Sequence, residues 1–587
     1  MSANRLDLLR HELRAYGVQG FIVPCTDPHL GEYMPPHDQR LAWLTGFTGS
    51  AGIAIVLETA AIVFSDGRYT LQLTAQTDPA LWQRGHMIET PPSEWLAGQL
   101  DGRAAPIGYD PRLISADALK RYTDRGIDMV PLIPNPIDAI WADQPPPPAA
   151  HARIQPLEHA GQSAADKREA IAGQLRADNQ DAAVLSDPAS INWLLNLRGG
   201  DVEFTPFALS FALIGADGHV ELFIDPAKLT SSVHAWLGNA VSVRAPDELP
   251  AALAARAGQR VRVDPAGTAA WFAQTLRAAG ASVIDGADPC LLPKALKNPT
   301  EQEGARAAHL RDAVAMCRFL HAMSARKGMT EMSAAALLDG MRAEHPAYRG
   351  ESFPAISGAG EHGAIIHYRV TPETDRPINP NEAYLIDSGG QYEDGTTDVT
   401  RTLWTGPAPA PSAMRDHYTR VLAGHLDIAA LHFPEGIAGP HIDTLARTAL
   451  WHVGLDYDHG TGHGVGSYLS VHEGPAGIAR TAKPIPLAAG MILSNEPGYY
   501  LPGEYGIRIE NLLLVKPALL PNARKPFLRF ETLTLAPYDR ALIEPSLLTP
   551  AQRAQIDAYH ARVLESVAPL LPAETVLWLA GACAALD

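Results

Sequence analysis

Two stretches of this chain are built alike, and they constrain its first half. LRAYGVQGFIVPCTDPHL, from Leu13, and LRADNQDAAVLSDPASI, from Leu175, each run from a helix tail through an apolar strand into an Asp-Pro turn. The turns fall at Asp27-Pro28 and Asp187-Pro188, a Trp-Leu pair follows each (Trp43-Leu44, Trp193-Leu194), and a two-residue gap aligns them. A chain that opens on the same helix–strand–turn unit twice is expected to begin with two similar α/β domains.

The strongest punctuation is WADQPPPPAAHA, whose prolines Pro145 to Pro148 favour an extended, stiff connector. A second boundary falls in LPKALKNPTEQEG. There Thr300 and Glu303, just after Pro299, read as a capping box. Behind it Leu310, Val314, Cys317 and Leu320, with Ala307 and Ala313, trace one helical stripe. The expected domains are therefore 1–148, 149–293 and 294–587, the last being the largest.

Charge and cysteine usage narrow the partners. A formal net charge of -18 argues against a phosphate backbone and against an anionic membrane surface. Cys25, Cys290, Cys317 and Cys583 are scattered without a CxxC pair, which suits a reducing compartment and neither a disulfide framework nor a thiolate zinc site. MSANRLDLLRHELR is charged where a secretion signal needs an apolar stretch, and Asp7 and Glu12 speak against a transit peptide. No uncharged apolar run approaches a membrane span, and Val576–Leu586 reads as a terminal packing helix. The cytoplasm is the expected compartment.

The chemistry concentrates in the last third. In EAYLIDSGGQYEDGTTDVTRTLW, YLID and TDVTRTL read as two strands, and a hairpin centred on Tyr392 and Glu393 would place Asp387 opposite Asp398. Two unpaired carboxylates so close repel until a divalent cation joins them; taken alone, two aspartates eleven apart are weak evidence and favour a structural or loop role. In DHGTGHGVGSYLSVHEGP, the i,i+4 spacing of His459 and His463 suggests a helix, but Gly460, Gly462, Gly464 and Gly466 argue for extended backbone packed closely beside a site. His472 adds a third imidazole. Glu496 ends an apolar run in ILSNEPGYY. In GIRIENLLLV the alternation sets Arg508 and Glu510 on one face, where a mutual ion pair is the plain alternative to a cation site. Taken together, four carboxylates and one imidazole form a hard, oxygen-rich set that suits Mn²⁺ and similar ions, in pairs about 3.5–4 Å apart around a shared water.

LIDSG, TTDVTRT, HGTGHGVGS, VHEGP, NEPGYY and GIRIEN resemble the metal-binding motifs of the pita-bread metallopeptidases, and within them the cytosolic three-domain Xaa-Pro aminopeptidase (aminopeptidase P) family. The resemblance spans essentially the whole chain, taking in GFTGSAGIAIV and SDGRYTLQ, INWLLNLRGGDVEFTPF and GAIIHYRV. It implies two creatinase-like N-terminal α/β domains followed by an α+β pita-bread catalytic domain. It implies two divalent metal ions, most readily Mn²⁺, on Asp387, Asp398, His463, Glu496 and Glu510, with Glu496 also shuttling the proton of the bridging water. His367 and His472 correspond to substrate-binding histidines that steady the tetrahedral intermediate. Arg68 corresponds to a substrate-contacting arginine, and His459, Tyr500 and Arg508 to supporting positions. A homodimer, and a peptide substrate with proline second, are implied likewise. VEFTPF at 202–207 departs from the family in detail.

The rivals are prolidase, which shares the ligands but generally has one N-terminal domain; creatinase, which works without metal; and a non-catalytic pita-bread binding module. Chain length and repeat disfavour the first, the complete ligand set the second, and the absence of an acidic block the third.

Overall fold

The computed structural model describes residues 2–325 and 328–586. Their contacts divide into two units, one reaching Pro156 and including Gln162–Leu291, the other comprising Leu157–Gly161 and the chain from Leu292 onward.

The first unit contains the same sheet twice. One has the strand order Gln83–His86, Ala61–Ser65, Ile53–Leu57, Gly20–Pro24, Ile107–Tyr109, Met129–Pro131. The other runs Val241–Arg244, Val220–Phe223, Phe211–Gly215, Ala182–Leu185, Arg260–Val263, Ser282–Asp285. Pairing directions agree strand by strand: the Gly20 and Ala182 strands are each antiparallel to the next strand of their own sheet and parallel to its fifth. The helices Ser2–Ala15 and Ala164–Ala177 lead into them. Both Asp-Pro turns are Asx turns, in which Asp27 Oδ1 accepts from the His29 amide and Asp187 Oδ1 from the Ala189 amide. The repeat extends further than the sequence reading found. Asp110-Pro111 and Asp264-Pro265 follow the fifth strand of each sheet and make the same turn.

In the first sheet Phe21, Val23, Val56 and Val63 face one apolar cluster while Ile22, Ile55, Ile62 and Phe64 face another. Burial on both faces is why these strands read as unbroken apolar runs and not as alternations.

In the second unit, helix Pro299–Ala325 follows the short helix Leu291–Ala295. Its capping box lies two residues earlier than expected. Asn298 Oδ1 accepts from the amides of Thr300 and Glu301 at 2.9 and 3.0 Å, and Glu301 Oε2 accepts from the Asn298 amide at 3.0 Å. Pro299, having no N–H to lose, takes the first helical position and so sets the cap before it. Cys317, Leu320 and Ala313 bury as the stripe required.

Four sheets follow among the described residues. Tyr348–Glu351, Gly390–Tyr392 and Gly395–Thr396 form one, and Ile356–Ala359, Ala383–Ser388 and Val399–Trp404 form another. A six-stranded sheet runs in the order His432–Pro434, Phe527–Thr532, Asn511–Ala518, Ile492–Asn495, Gly462–Gly464, Glu473–Ile478, and Gly498–Leu501 pairs with Tyr505–Arg508. Helices Ser412–Ala429, Gly439–Trp451 and Pro550–Val567 pack around them, and the terminal helix covers Ala573–Ala582.

Two expectations of register fail. Asp387 pairs with Thr400, not Asp398, because the hairpin turns one residue later than assumed. A two-residue offset keeps both carboxylates on the same face, so the site survives the error. GIRIENLLLV is not one strand: it breaks at Ile509 and Glu510, with Arg508 ending one sheet's strand and Asn511 beginning another's.

Candidate metal centre

All five expected ligands sit in or directly beside strands of the second unit. Asp387 is within Ala383–Ser388 and His463 is central in Gly462–Gly464. Asp398 directly precedes Val399–Trp404, Glu496 follows Ile492–Asn495, and Glu510 precedes Asn511–Ala518. Backbone already held by ladders fixes each side chain, as a precise site requires. The glycines around His463 serve close approach: a Cβ on Gly462 would lie 2.0 Å from the Ser494 carbonyl oxygen, and one on Gly464 2.2 Å from that of Glu473.

The five side chains converge. One ligand atom each from Asp398, His463 and Glu510 lie within 4.8 Å of one another. His463 Nε2 is 3.4 Å from Asp398 Oδ2 and 3.5 Å from Glu496 Oε1. Its Nδ1, 2.9 Å from the Gly464 carbonyl oxygen, must carry the proton because a carbonyl only accepts. In the neutral ring Nε2 is thereby left as the lone pair a metal needs.

Asp387 Oδ1, Asp398 Oδ1 and Glu510 Oε1 are buried without a hydrogen-bond partner. Each such acceptor costs about 1–3 kcal/mol, more when charged, and their mutual repulsion adds to that. Burial and neighbouring carboxylates push Asp387 up to about 7, even though Arg508 opposes the shift. Glu510 is raised well above the carboxylate range by burial and by Asp398, Glu496 and Asp387; Glu496 rises chiefly through burial. His463 is raised to about 9 by Asp398 and Glu496, against its own burial. Buried acid oxygens that lack donors and repel one another are the residue set that a pair of divalent cations satisfies.

One prediction follows from the sign of these shifts. Each of the four is shifted towards holding its proton, Asp387 to about 7 and His463 to about 9, and a cation must displace the protons they hold. Metal added at pH 7 should therefore release protons, and apparent affinity should climb as pH rises towards about 9. Calorimetric titrations in buffers of different ionisation enthalpy measure this; a proton-neutral titration would contradict it.

The surrounding groups form ordered chains. Arg508, 2% exposed, donates to Asp387 Oδ2 from Nη2 at 2.6 Å and from Nε at 3.2 Å, and to the Tyr500 hydroxyl from Nη1 at 2.6 Å. Its carboxylate partner is thus Asp387, and the Arg508–Glu510 pair considered from the sequence does not form. The Tyr500 hydroxyl lies 2.8 Å from His459 Nε2, and His459 Nδ1 lies 2.8 Å from the Gly460 carbonyl oxygen. Nδ1 therefore bears the proton, so in the neutral ring Tyr500 donates to Nε2 while accepting from Arg508. The His472 ring stands edge-on to His463, centroids 4.4 Å apart.

His367 is half-buried in the stretch after the Gly360–Ala364 turn. That stretch is anchored by the fully buried Glu331, which accepts from the Ala359 amide, His362 Nδ1 and the Tyr368 hydroxyl. Arg68 belongs to the first unit, where it pairs with Asp66 at 2.8 Å and lies over the Tyr69 ring.

Sequence reasoning missed the hydroxyls that set the ligands. Thr400 donates to Glu510 Oε2 at 2.7 Å. Ser494 donates to Glu496 Oε1 at 3.1 Å and accepts from the His463 amide at 2.9 Å. Small hydroxyls inside otherwise apolar strands were the available signal.

A doubled α/β sheet, followed by sheets that gather four carboxylates and an imidazole with orphaned oxygens, defines a metal-dependent hydrolase of the dinuclear class. Known proteins agree. Residues 5–134 and 143–301 match models of the creatinase/prolidase N-terminal domain, 303–517 metallopeptidase family M24, and 526–586 the C-terminal region of that peptidase family. A probable Xaa-Pro aminopeptidase P of Coccidioides posadasii is 37% identical over 96% of each chain, and one of Laccaria bicolor is 37% identical over 100% of this chain and 94% of its own. The crystal structure of an X-prolyl aminopeptidase from Caenorhabditis elegans, described as a cytosolic enzyme with a di-nuclear active site, superposes with a TM-score of 0.94 at 33% identity over 100% of both chains. The chain belongs to the Xaa-Pro aminopeptidase P family of M24 metallopeptidases.

Proposed function

We propose that this chain is a metal-dependent aminopeptidase that hydrolyses the N-terminal Xaa-Pro bond of peptides. The observation that carries the reading is the convergence of five ligand side chains with three buried oxygens left without donors. Asp387, Asp398, His463, Glu496 and Glu510 would hold two divalent cations, of which Mn²⁺ suits the oxygen-rich set best. When bound, such ions supply Lewis-acid polarisation of the scissile carbonyl and acidify water.

The chain's own groups do the rest. Glu496, whose side chain is 18% exposed and whose pKa burial raises, would take the proton of the attacking water and pass it on. Water oxygen joins the carbonyl carbon, the Xaa–Pro C–N bond breaks, and the proton arrives on the proline nitrogen. His472, beside His463, and His367 would donate to the developing oxyanion. Arg508, Tyr500 and His459 hold Asp387 in place. Arg68 is assigned to substrate binding by family resemblance. The scissile Xaa-Pro amide carries no N–H, so strand-type substrate recognition loses a hydrogen bond there. An acidic centre that grips the free amine does not depend on it.

The reading includes the division at residues 148 and 293, a homodimer and a cytoplasmic location. Among the described residues no helix is long and apolar enough to cross a membrane. Metal-free protein titrated with Mn²⁺ against a Xaa-Pro-Yaa tripeptide should release the first amino acid in proportion to bound metal. Failure to cut the tripeptide while cutting the dipeptide would assign a dipeptidase. No metal-dependent release from either would end the assignment.

A further inference from the structure

Arg401 stands three residues after the ligand Asp398 in TTDVTRT and has no part in the chemistry above. It is 0% exposed. Its strand, Val399–Trp404, turns Thr400 and Thr402 towards Glu510 and Arg508, so Arg401 projects to the opposite face. There Nη1 donates to the carbonyl oxygens of Thr400 at 2.7 Å and Glu510 at 2.6 Å. Nη2 donates to Asn511 Oδ1 at 2.7 Å, the Ala536 carbonyl at 2.8 Å and the Tyr559 hydroxyl at 3.1 Å, and Nε to the Pro537 carbonyl at 3.2 Å. Every guanidinium donor is used, and none of these acceptors is a carboxylate.

A buried cation held only by neutral groups is costly. Stacking 5.0 Å over the Tyr538 ring offsets part of that cost. The arrangement makes sense as a clamp: one rigid fork grips the backbone on both sides of a metal ligand. The clamp has an outer bolt. Tyr559, from helix Pro550–Val567, donates its one hydroxyl proton to the Ala536 carbonyl at 2.8 Å, with the Thr534 carbonyl 3.1 Å away, accepts from the Ala536 amide, and stacks on Tyr538.

We propose that Arg401, locked by the Tyr559 hydroxyl, is a positioning residue for the metal centre. It fixes the Thr400 and Glu510 backbone, and the Pro550–Val567 helix is thereby part of what sets the Glu510 carboxylate. This rests on the dinuclear reading above. Losing such an outer support should weaken metal binding about 10–100-fold.

The test uses full-length protein, with Mn²⁺ affinity measured by calorimetry and thermal melting of the metal-free form. Tyr559→Phe removes one hydroxyl and should weaken Mn²⁺ binding about tenfold or more, while the metal-free protein still melts cooperatively at a lowered temperature. Arg401→Lys keeps the charge but not the fork and should not restore wild-type affinity. If Arg401→Lys fails to fold, Tyr559→Phe decides alone. Folded variants that bind Mn²⁺ as tightly as wild type overturn the proposal. Wild-type protein that binds no Mn²⁺ would instead defeat the functional reading beneath it.

Discussion

Replacing Asp398 by alanine is expected to strip the centre of metal and cut turnover of a Xaa-Pro-Yaa tripeptide by at least about 10³-fold, beyond the 10–100-fold typical of lost outer supports. The reason lies in its contacts. Asp398 is 4% exposed; Oδ2 faces His463 Nε2 at 3.4 Å, and Oδ1 has no protein partner. Both oxygens are therefore free to bind cations, and Asp398 is one of the three groups that meet within 4.8 Å. Without it, His463 loses its neighbouring carboxylate and Glu510 loses the ligand that would share an ion with it. Metal content of the purified variant, measured beside kcat, checks the expectation. Two ions per chain with turnover within tenfold of wild type would refute it.

That prediction was reachable from the sequence because the ligands sit at strand ends marked by apolar runs and by glycines that only a close backbone approach requires. The pairing partner of Asp387 was not reachable. A hairpin through GGQYEDGTT can turn at Tyr392–Glu393 or one residue later, and either choice leaves both aspartates on one face. The strand through Arg508 and Glu510 was misjudged for a related reason. Alternation assumes a continuous strand, and the break at Ile509 sends Arg508 to Asp387 across 121 residues of sequence. Long-range pairing of that kind leaves no local trace. The doubled sheet was visible only at its first turn; the second Asp-Pro pair, at Asp110 and Asp264, lay outside the compared windows. Arg401 was quoted within a motif, yet nothing in the residue type distinguishes a buried clamp from a solvated strand arginine.

Arg508→Met is expected to destabilise the metal-free protein by about 3–5 kcal/mol, the usual penalty for breaking a buried ion pair from one side. The side chains of Arg508 and Asp387 are 2% and 9% exposed, so water cannot replace the lost partner. The sign with pH follows from Asp387. Arg508 lowers its pKa, which burial nonetheless keeps at about 7. The pair's contribution is present where Asp387 is ionised and is lost as pH falls below that value. The deficit of Arg508→Met should therefore be larger at pH 8 than at pH 5. Arg508→Lys keeps a charge but cannot bridge Asp387 and Tyr500 together, and should fall between. Adding Asp387→Asn to Arg508→Met removes the stranded charge and should recover part of the loss, a coupling that independent sites would not show. Urea unfolding in chelator at the two pH values measures all of these. A loss below about 1 kcal/mol for Arg508→Met would mean that Asp387 is already neutral in the metal-free protein, and that the cations, not Arg508, are what keep it charged.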